Sequence, residues 1–299
     1  MINGVLNIYK EKGFTSHDVV AKLRGIVKQK KIGHTGTLDP DAEGVLPVCL
    51  GKATKLCDML TDKSKVYEAV LLLGKTTDTQ DITGTILEEG ETKDLTEEQV
   101  RACIQKFVGE QDQVPPMYSA LKVNGKKLYE LAREGIEVER KARKITIFEI
   151  EILEIDLPRV RMQVHCSKGT YIRTLCHDIG NTLGCGGCME ALLRTKVSRF
   201  ELKDSLRLSE IDALQQEGKL DSVLIPIDEM FSSLKEVTID PVQERLIYNG
   251  NPFAEKYLGE YQNFSEKEQV RVYDTKHQFV GIYRYQAEEK RFSIEKMFL

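Results

Sequence analysis

Residues 33–55, Gly33-His-Thr-Gly-Thr-Leu-Asp-Pro-Asp-Ala-Glu-Gly-Val-Leu-Pro-Val-Cys-Leu-Gly-Lys-Ala-Thr-Lys55, put four glycines and two prolines into 23 positions. Proline fixes φ and glycine frees it, so the stretch predicts a tightly constrained loop rather than a plain helix or strand. It holds one imidazole, His34, and three acids spaced by two, Asp39, Asp41 and Glu43. Reactive groups on a loop held by a rigid scaffold form a candidate site.

The 299 residues are enough for roughly two domains with ample cores. The N-terminus lacks the cationic start and apolar run of a secretion signal, and no later apolar run reaches ~20 residues. A cytoplasmic chain is expected. Seven cysteines, an odd number, fit a reducing compartment better than a disulfide framework.

The net charge of −4 argues against indiscriminate coating of nucleic acid. It hides two basic segments: residues 22–55 carry seven Lys/Arg against three acids, and residues 122–144 carry eight against four. Basic patches and ordinary solvated faces are both compatible with such segments.

Local signals place the stretch within a mixed fold. Thr15 with Asp18, and Thr96 with Gln99, form capping boxes, each opening an amphipathic helix. Residues 66–73 read as a buried strand ended by Gly74. Residues 145–155 and 160–166 alternate with period two and read as an antiparallel pair. Ile172, Leu175, Cys176 and Ile179 form an apolar helix stripe, with Arg173 and His177 on the opposite face. Beyond residue 234, short β-like runs and turns suggest a small all-β module. The pattern predicts an α+β fold with a mixed, largely antiparallel sheet, divided into residues 1–234 and 235–299.

Several chemistries match parts of the sequence. Asp39-x-Asp41-x-Glu43-Gly44 mimics the start of a calcium loop, but the position of its bidentate glutamate is Leu50. Both Gly-Lys pairs, at 51–52 and 74–75, fail the phosphate-loop pattern. Cys185-Gly-Gly-Cys188 has no second pair at finger spacing, and Cys176 has a core explanation. A fixed carboxylate could serve chemistry at an anomeric carbon, stabilising or trapping oxocarbenium-like charge. That needs a cation to keep it ionised, and Arg173 is a candidate. A turn residue before proline is the alternative reading of Asp39.

The block at 33–55 resembles the catalytic signature of the TruB family, the tRNA pseudouridine-55 synthases. The likeness extends in order over residues 2–200: Lys10 and Gly13, Tyr67, Gly74-x-x-Thr-Asp-Thr-x-Asp81, Pro116-Met-Tyr-Ser-Ala-Leu-Lys122, Lys168-Gly-Thr-Tyr-Ile-Arg-Thr174 and Leu192-x-Arg194. The resemblance implies a pseudouridine synthase core followed by a PUA-like RNA-binding domain, and isomerisation of uridine 55 in the T-loop without metal or organic cofactor. It implies that Asp39 is the catalytic carboxylate, as nucleophile at C1′ or base at C2′. Arg173 would pair with it and depress its pKa. Tyr67 would stack on the uracil and assist proton transfer from C5, and Leu192 would pack on the base's other side. His34 would fill the vacancy of a flipped uridine, with Tyr171, Lys10 and Asp81 as further pocket residues. The tRNA T-arm would lie on the basic segments, with no membrane and no obligate protein partner. A guide-RNA-dependent relative, or a factor that mainly folds tRNA, are the competing readings. The C-terminal third resembles the family only weakly, and Cys185 and Cys188 inherit no function from it.

Overall fold

The computed structural model describes residues 1–61, 63–258 and 263–299. Strand β1 (Gly4–Lys10) leads into helix α1 (Ser16–Val27), where the capping box of Thr15 and Asp18 closes in both directions. Strands β2 (Ile32–His34) and β3 (Glu43–Leu50) follow. The expectation of a loop throughout 33–55 is therefore corrected: only the middle is a loop, and its second half is a strand. Pro47 is tolerated there because of its partner. It faces Asn7 of β1, and β1 turns the backbone groups of Val5, Asn7 and Tyr9 away from β3, toward Ile225 and Leu206. The ladder asks for no N–H at Pro47.

A 3₁₀ turn over Gly51–Leu56 and helix α2 (Cys57–Thr61) then lead to strand β4 (Lys65–Leu73). Next come the hairpin β5 (Lys75–Thr77) and β6 (Ile86–Glu89), helix α3 (Glu97–Gln105) and strand β7 (Gly109–Gln113). The small hairpin β8 (Lys122–Val123) and β9 (Lys126–Lys127), turning at Asn124-Gly125, precedes helix α4 (Leu128–Arg133). The long antiparallel pair β10 (Arg143–Asp156) and β11 (Arg159–Cys166) runs into helix α5 (Ile172–Leu183). Strands β12 (Gly187–Val197) and β13 (Phe200–Glu201) and helix α6 (Leu208–Gln216) complete this part.

The first sheet has nine strands in the order β1-β3-β12-β4-β11-β10-β7, with β2 paired to β3 and β13 to β12. Every pairing is antiparallel except β3 with β12, which is parallel over two residue pairs. Helices α3 and α5 cover β4, β11 and β10 through Val100, Ile104, Leu175 and Ile179. Helices α1 and α6 cover β1 and β3 through Leu23 and Ile211. The alternate residues Val5, Val45 and Cys49 pack on the opposite face, in a cluster with Ile282 and Phe298 from the C-terminal region. Buried on both faces, β3 is apolar almost throughout.

The second sheet comprises β14 (Lys235–Thr238), β15 (Phe253–Ala254), β16 (Gln269–Tyr273), β17 (Phe279–Gln286) and β18 (Arg291–Met297), in the order β14-β16-β17-β18-β15. Helix α7 (Glu244–Tyr248) lies within this segment. The architecture is the expected α+β mixture, with a small β unit at the C-terminal end.

Candidate active site

Asp39 sits in the loop between β2 and β3, and three anchors hold that loop. The Ser16 hydroxyl at the start of α1 accepts the Leu38 N–H at 2.9 Å. The Asp39 carbonyl accepts the Ala42 N–H at 3.1 Å. Lys10, fully buried at the end of β1, donates from Nζ to the Pro40 carbonyl at 3.0 Å. Lys10 thus acts from beneath the loop rather than from a pocket wall. Burial pulls its pKa down to about 8, against the attraction of Glu43, Asp39 and Asp41.

Arg173 meets the carboxylate from helix α5. Its Nε lies 2.9 Å from Asp39 Oδ2, and Nη2 lies 3.4 Å from Oδ1. The remaining guanidinium N–H groups are fixed by the Tyr118 carbonyl at 2.8 Å, the Thr79 carbonyl at 3.0 Å and Asp81 Oδ2 at 3.5 Å. Asp81 is itself set by Thr83 N–H at 3.0 Å and the Thr79 hydroxyl at 2.8 Å. The sequence put Arg173 with His177 on the face opposite the apolar stripe. That face is not an open surface at Arg173, whose side chain is 5% exposed and tied to three separate segments.

The Asp39 side chain is 41% exposed, open on one side and enclosed on the others. Its pKa is raised. Burial drives it up, Arg173 and Lys10 oppose, and the nearby Asp81 adds to the rise. The expected depression by Arg173 is thus present as a contribution but outweighed, because enclosure disfavours the charged form more than the cation favours it.

Tyr67 on β4 is buried, and burial raises its pKa against the pull of Arg194. Leu192 faces Ala69 across the β12–β4 ladder and Arg194 faces Tyr67, so the four side chains share one side of the sheet. Leu192 packs against the same cluster that contains Tyr67, Leu38 and Ala42. Tyr171 caps α5, where Gln113 accepts its N–H at 2.8 Å and donates to its carbonyl at 3.0 Å. His34, half-buried at the end of β2, lies edge-on to His17 at 5.4 Å between ring centroids. Burial, with His17 and Arg194 nearby, lowers its pKa and favours the neutral ring.

The other two acids of the loop are separated from this group in role. Asp41 is exposed, and Glu43 accepts the Tyr9 hydroxyl at 3.0 Å. Cys176 is buried in the apolar cluster beneath α5, Cys188 is buried as well, and none of the seven cysteines forms a disulfide.

Arg194 is the residue whose part was not legible. Its Nε donates to the Val45 carbonyl at 2.7 Å and Nη2 to the Gly36 carbonyl at 3.4 Å, so it ties β12 to β3 and to the Asp39 loop. Gly44 makes room for it. At φ +106° a Cβ there would lie 2.2 Å from the Arg194 carbonyl oxygen. The signal available was Leu192-x-Arg194, two side chains of the same register on one strand.

Comparison with known proteins bears on what this arrangement does. Residues 24–172 match the family described as "TruB family pseudouridylate synthase (N terminal domain)", and residues 173–232 match "tRNA pseudouridylate synthase B C-terminal domain". A protein of Lachnoclostridium phytofermentans named tRNA pseudouridine synthase B is 53% identical over 309 residues, with both chains covered completely. One of the same name from Clostridium perfringens is 45% identical over 300 residues, covering 100% of this chain and 99% of the other. Among solved structures, a Cbf5-Nop10-Gar1 complex aligns at TM-score 0.73 and 27% identity, covering 99% of this chain and 85% of that one. An H/ACA RNP bound to a substrate RNA containing 2′-deoxyuridine aligns at TM-score 0.72 and 25% identity, with the same coverage.

Proposed function

The chain belongs to the TruB family of pseudouridylate synthases, and on that premise we propose that it isomerises the uridine at position 55 of the tRNA T-loop, with Asp39 as the catalytic carboxylate. The observation that carries the assignment is the Asp39–Arg173 pair at 2.9 Å, made by an arginine whose other donors are committed to fixed carbonyls. A carboxylate so oriented cannot swing away from a bound sugar without breaking a bond to a rigid partner.

In the proposed reaction the uridine leaves the stack, which requires a few kcal/mol of unstacking. His34, neutral and half-buried at the mouth, fills the space it vacates. The uracil lies between Tyr67 and Leu192. The N-glycosidic bond breaks with Asp39 acting at C1′ or C2′, the base turns over, and C5 bonds to C1′. The proton on C5 then leaves, with Tyr67 assisting. The sum is an isomerisation with no change of oxidation state, so the chemistry itself calls for no redox cofactor. Tyr171 and Asp81 set the far wall, Asp81 by holding Arg173.

Lys22–Lys31 and Lys122–Lys144 supply phosphate contacts that position the T-arm, while shape and splayed bases give specificity. Residues 235–299 form the proposed PUA-like RNA-binding domain behind a catalytic domain at 1–234. Among the described residues no helix is long and apolar enough to cross a membrane, and we assign the enzyme to the cytoplasm.

The test is tritium release from [5-³H]uridine-labelled tRNA, with the modified position mapped. Asp39→Asn is expected to abolish release while tRNA affinity stays within about tenfold, ~1.4 kcal/mol. Undiminished turnover in that variant would refute the assignment. The likeness to ribonucleoprotein structures favours one competing reading, a guide-dependent enzyme. Activity on a bare T-arm stem-loop, without guide RNA or protein partners, is the expected result and separates the two.

A further inference from the structure

We propose that Arg194 is a positioning residue for the reaction: it fixes the direction of the Tyr67 hydroxyl and steadies its deprotonated form, acting on the substrate only through Tyr67. The proposal rests on the reading that Tyr67 receives the C5 proton.

Arg194 is 1% exposed and is the largest fully buried side chain among the described residues. It makes no ion pair with a carboxylate there. Its guanidinium donates to neutral acceptors, the carbonyls of Val45 and Gly36. A buried cation without an acid is costly unless other acceptors gather around it. The third is Tyr67, its register partner across β12 and β4 on the same side of the sheet, whose oxygen and the guanidinium attract each other electrostatically.

The polarity of that contact follows from chemistry. Guanidinium has donors and no acceptor, so in any hydrogen bond between the two the Tyr67 oxygen accepts, with its own hydrogen turned away from Arg194. When the hydroxyl loses its proton, the charge that appears faces a cation not committed to any carboxylate. Other titratable groups around this pair are Asp39 on the loop, Cys166 on β11, His34 on β2 and Lys10 on β1. Asp39, the one acid among them, is held by Arg173.

The step balances as follows. Tyr67 first yields its phenol proton to water. The C5–H bond then breaks, its electron pair restores the C5–C6 double bond, and the C6–N1 π pair moves to N1, which takes a proton from water. The C5 proton passes to the Tyr67 oxygen. The neutral phenol later returns that proton to water.

The experiment compares single-turnover rates on T-arm stem-loops carrying ordinary or [5-²H]uridine, for wild type, Tyr67→Phe, Arg194→Met, Arg194→Lys and the Tyr67→Phe/Arg194→Lys double variant. Arg194→Met is expected to lower the rate on the order of 10²-fold, with RNA affinity within about threefold and a larger deuterium effect, since proton loss from C5 becomes slow. Arg194→Lys, which keeps a charged donor, recovers part of the rate. In the Tyr67→Phe background the lysine change should cost less than about twofold, because its target is gone. Equal losses in both backgrounds, or a loss with no change in the deuterium effect, would overturn the proposal while leaving the Tyr67 reading intact. Full turnover by Tyr67→Phe would overturn both. If Arg194→Met does not fold, the lysine cycle decides alone.

Discussion

Replacing Lys10 by methionine separates the cost of a buried charge from its use. The ammonium is fully buried and its pKa stands at about 8 against an ordinary 10.5. That difference makes the charged form about 3 kcal/mol less favourable in the fold than in the unfolded chain. The sign is clear. Below pH 8 both states carry the proton and the whole penalty is present. Between pH 8 and 10.5 the folded chain has released it while the unfolded chain has not, so stability rises with pH. Methionine removes the penalty and forfeits two hydrogen bonds, to the carbonyls of Pro40 and Glu11. The Pro40 carbonyl keeps the Gly13 N–H at 2.9 Å, so it is not orphaned. At roughly 1 kcal/mol for each bond, Lys10→Met should be about 1 kcal/mol more stable than wild type at pH 7. The advantage should vanish and then reverse as the pH approaches 10.5. Turnover should nonetheless fall, since the loop bearing Asp39 loses its strut. The assay is urea denaturation of both proteins from pH 6 to 10, read as a difference so that shared titrations cancel. A difference that stays flat across that range would refute the reasoning, as would a variant several kcal/mol less stable at pH 7.

Other expectations follow from the same geometry. Because Asp39→Asn leaves the buried Arg173 without its carboxylate partner, the variant should melt below wild type at pH 7 as well as lose turnover; an unchanged melting temperature would show the pair to be neutral for stability. Arg173→Met removes the opposing cation and should shift the acid limb of the turnover profile to higher pH; an unmoved limb would dissociate the two groups. Gly44→Ala, forced to positive φ against the Arg194 backbone, should destabilise by at least ~2 kcal/mol in urea titration and reduce turnover with it. Replacing Lys122, Lys126 and Lys127 by alanine should flatten the salt dependence of tRNA binding, by roughly 0.7–0.9 in log–log slope for each phosphate contact removed. An unchanged slope would return those lysines to ordinary solvated surface.

What was legible in the sequence was local. The capping boxes at Thr15 and Thr96 form as read because each is decided within four residues. The β10–β11 pair is legible because runs of alternation survive between its two register shifts, at Ile147–Glu149 and Ile152–Glu154. Strand β12 escaped because its apolar residues do not alternate: Ala191, Leu192 and Leu193 run together between the two register shifts, at Met189–Ala191 and Arg194–Lys196, and charged residues flank them. Strand β7, Gly-Glu-Gln-Asp-Gln, has no apolar face to read and exists through its pairing with β10. Arg194 stands in the quoted signature without a role of its own, because its partners on β3 and in the Asp39 loop are gathered only by the fold. The pKa of Asp39 went the other way from expectation because a sequence displays the charged partner and not the water that folding removes.

Strand β12 carries one more consequence, for the order in which the protein can be made. It lies between β3 and β4, which precede it by more than a hundred residues and do not pair with each other. As the chain leaves the ribosome, Asp39 and Tyr67 emerge early, on two half-sheets that each present an open edge. Only when residues 187–197 arrive does one strand close both edges and bring the halves together. The pocket therefore cannot form on a partial chain. Cutting at residue 172, where the two family matches meet, would leave the halves without the strand that joins them.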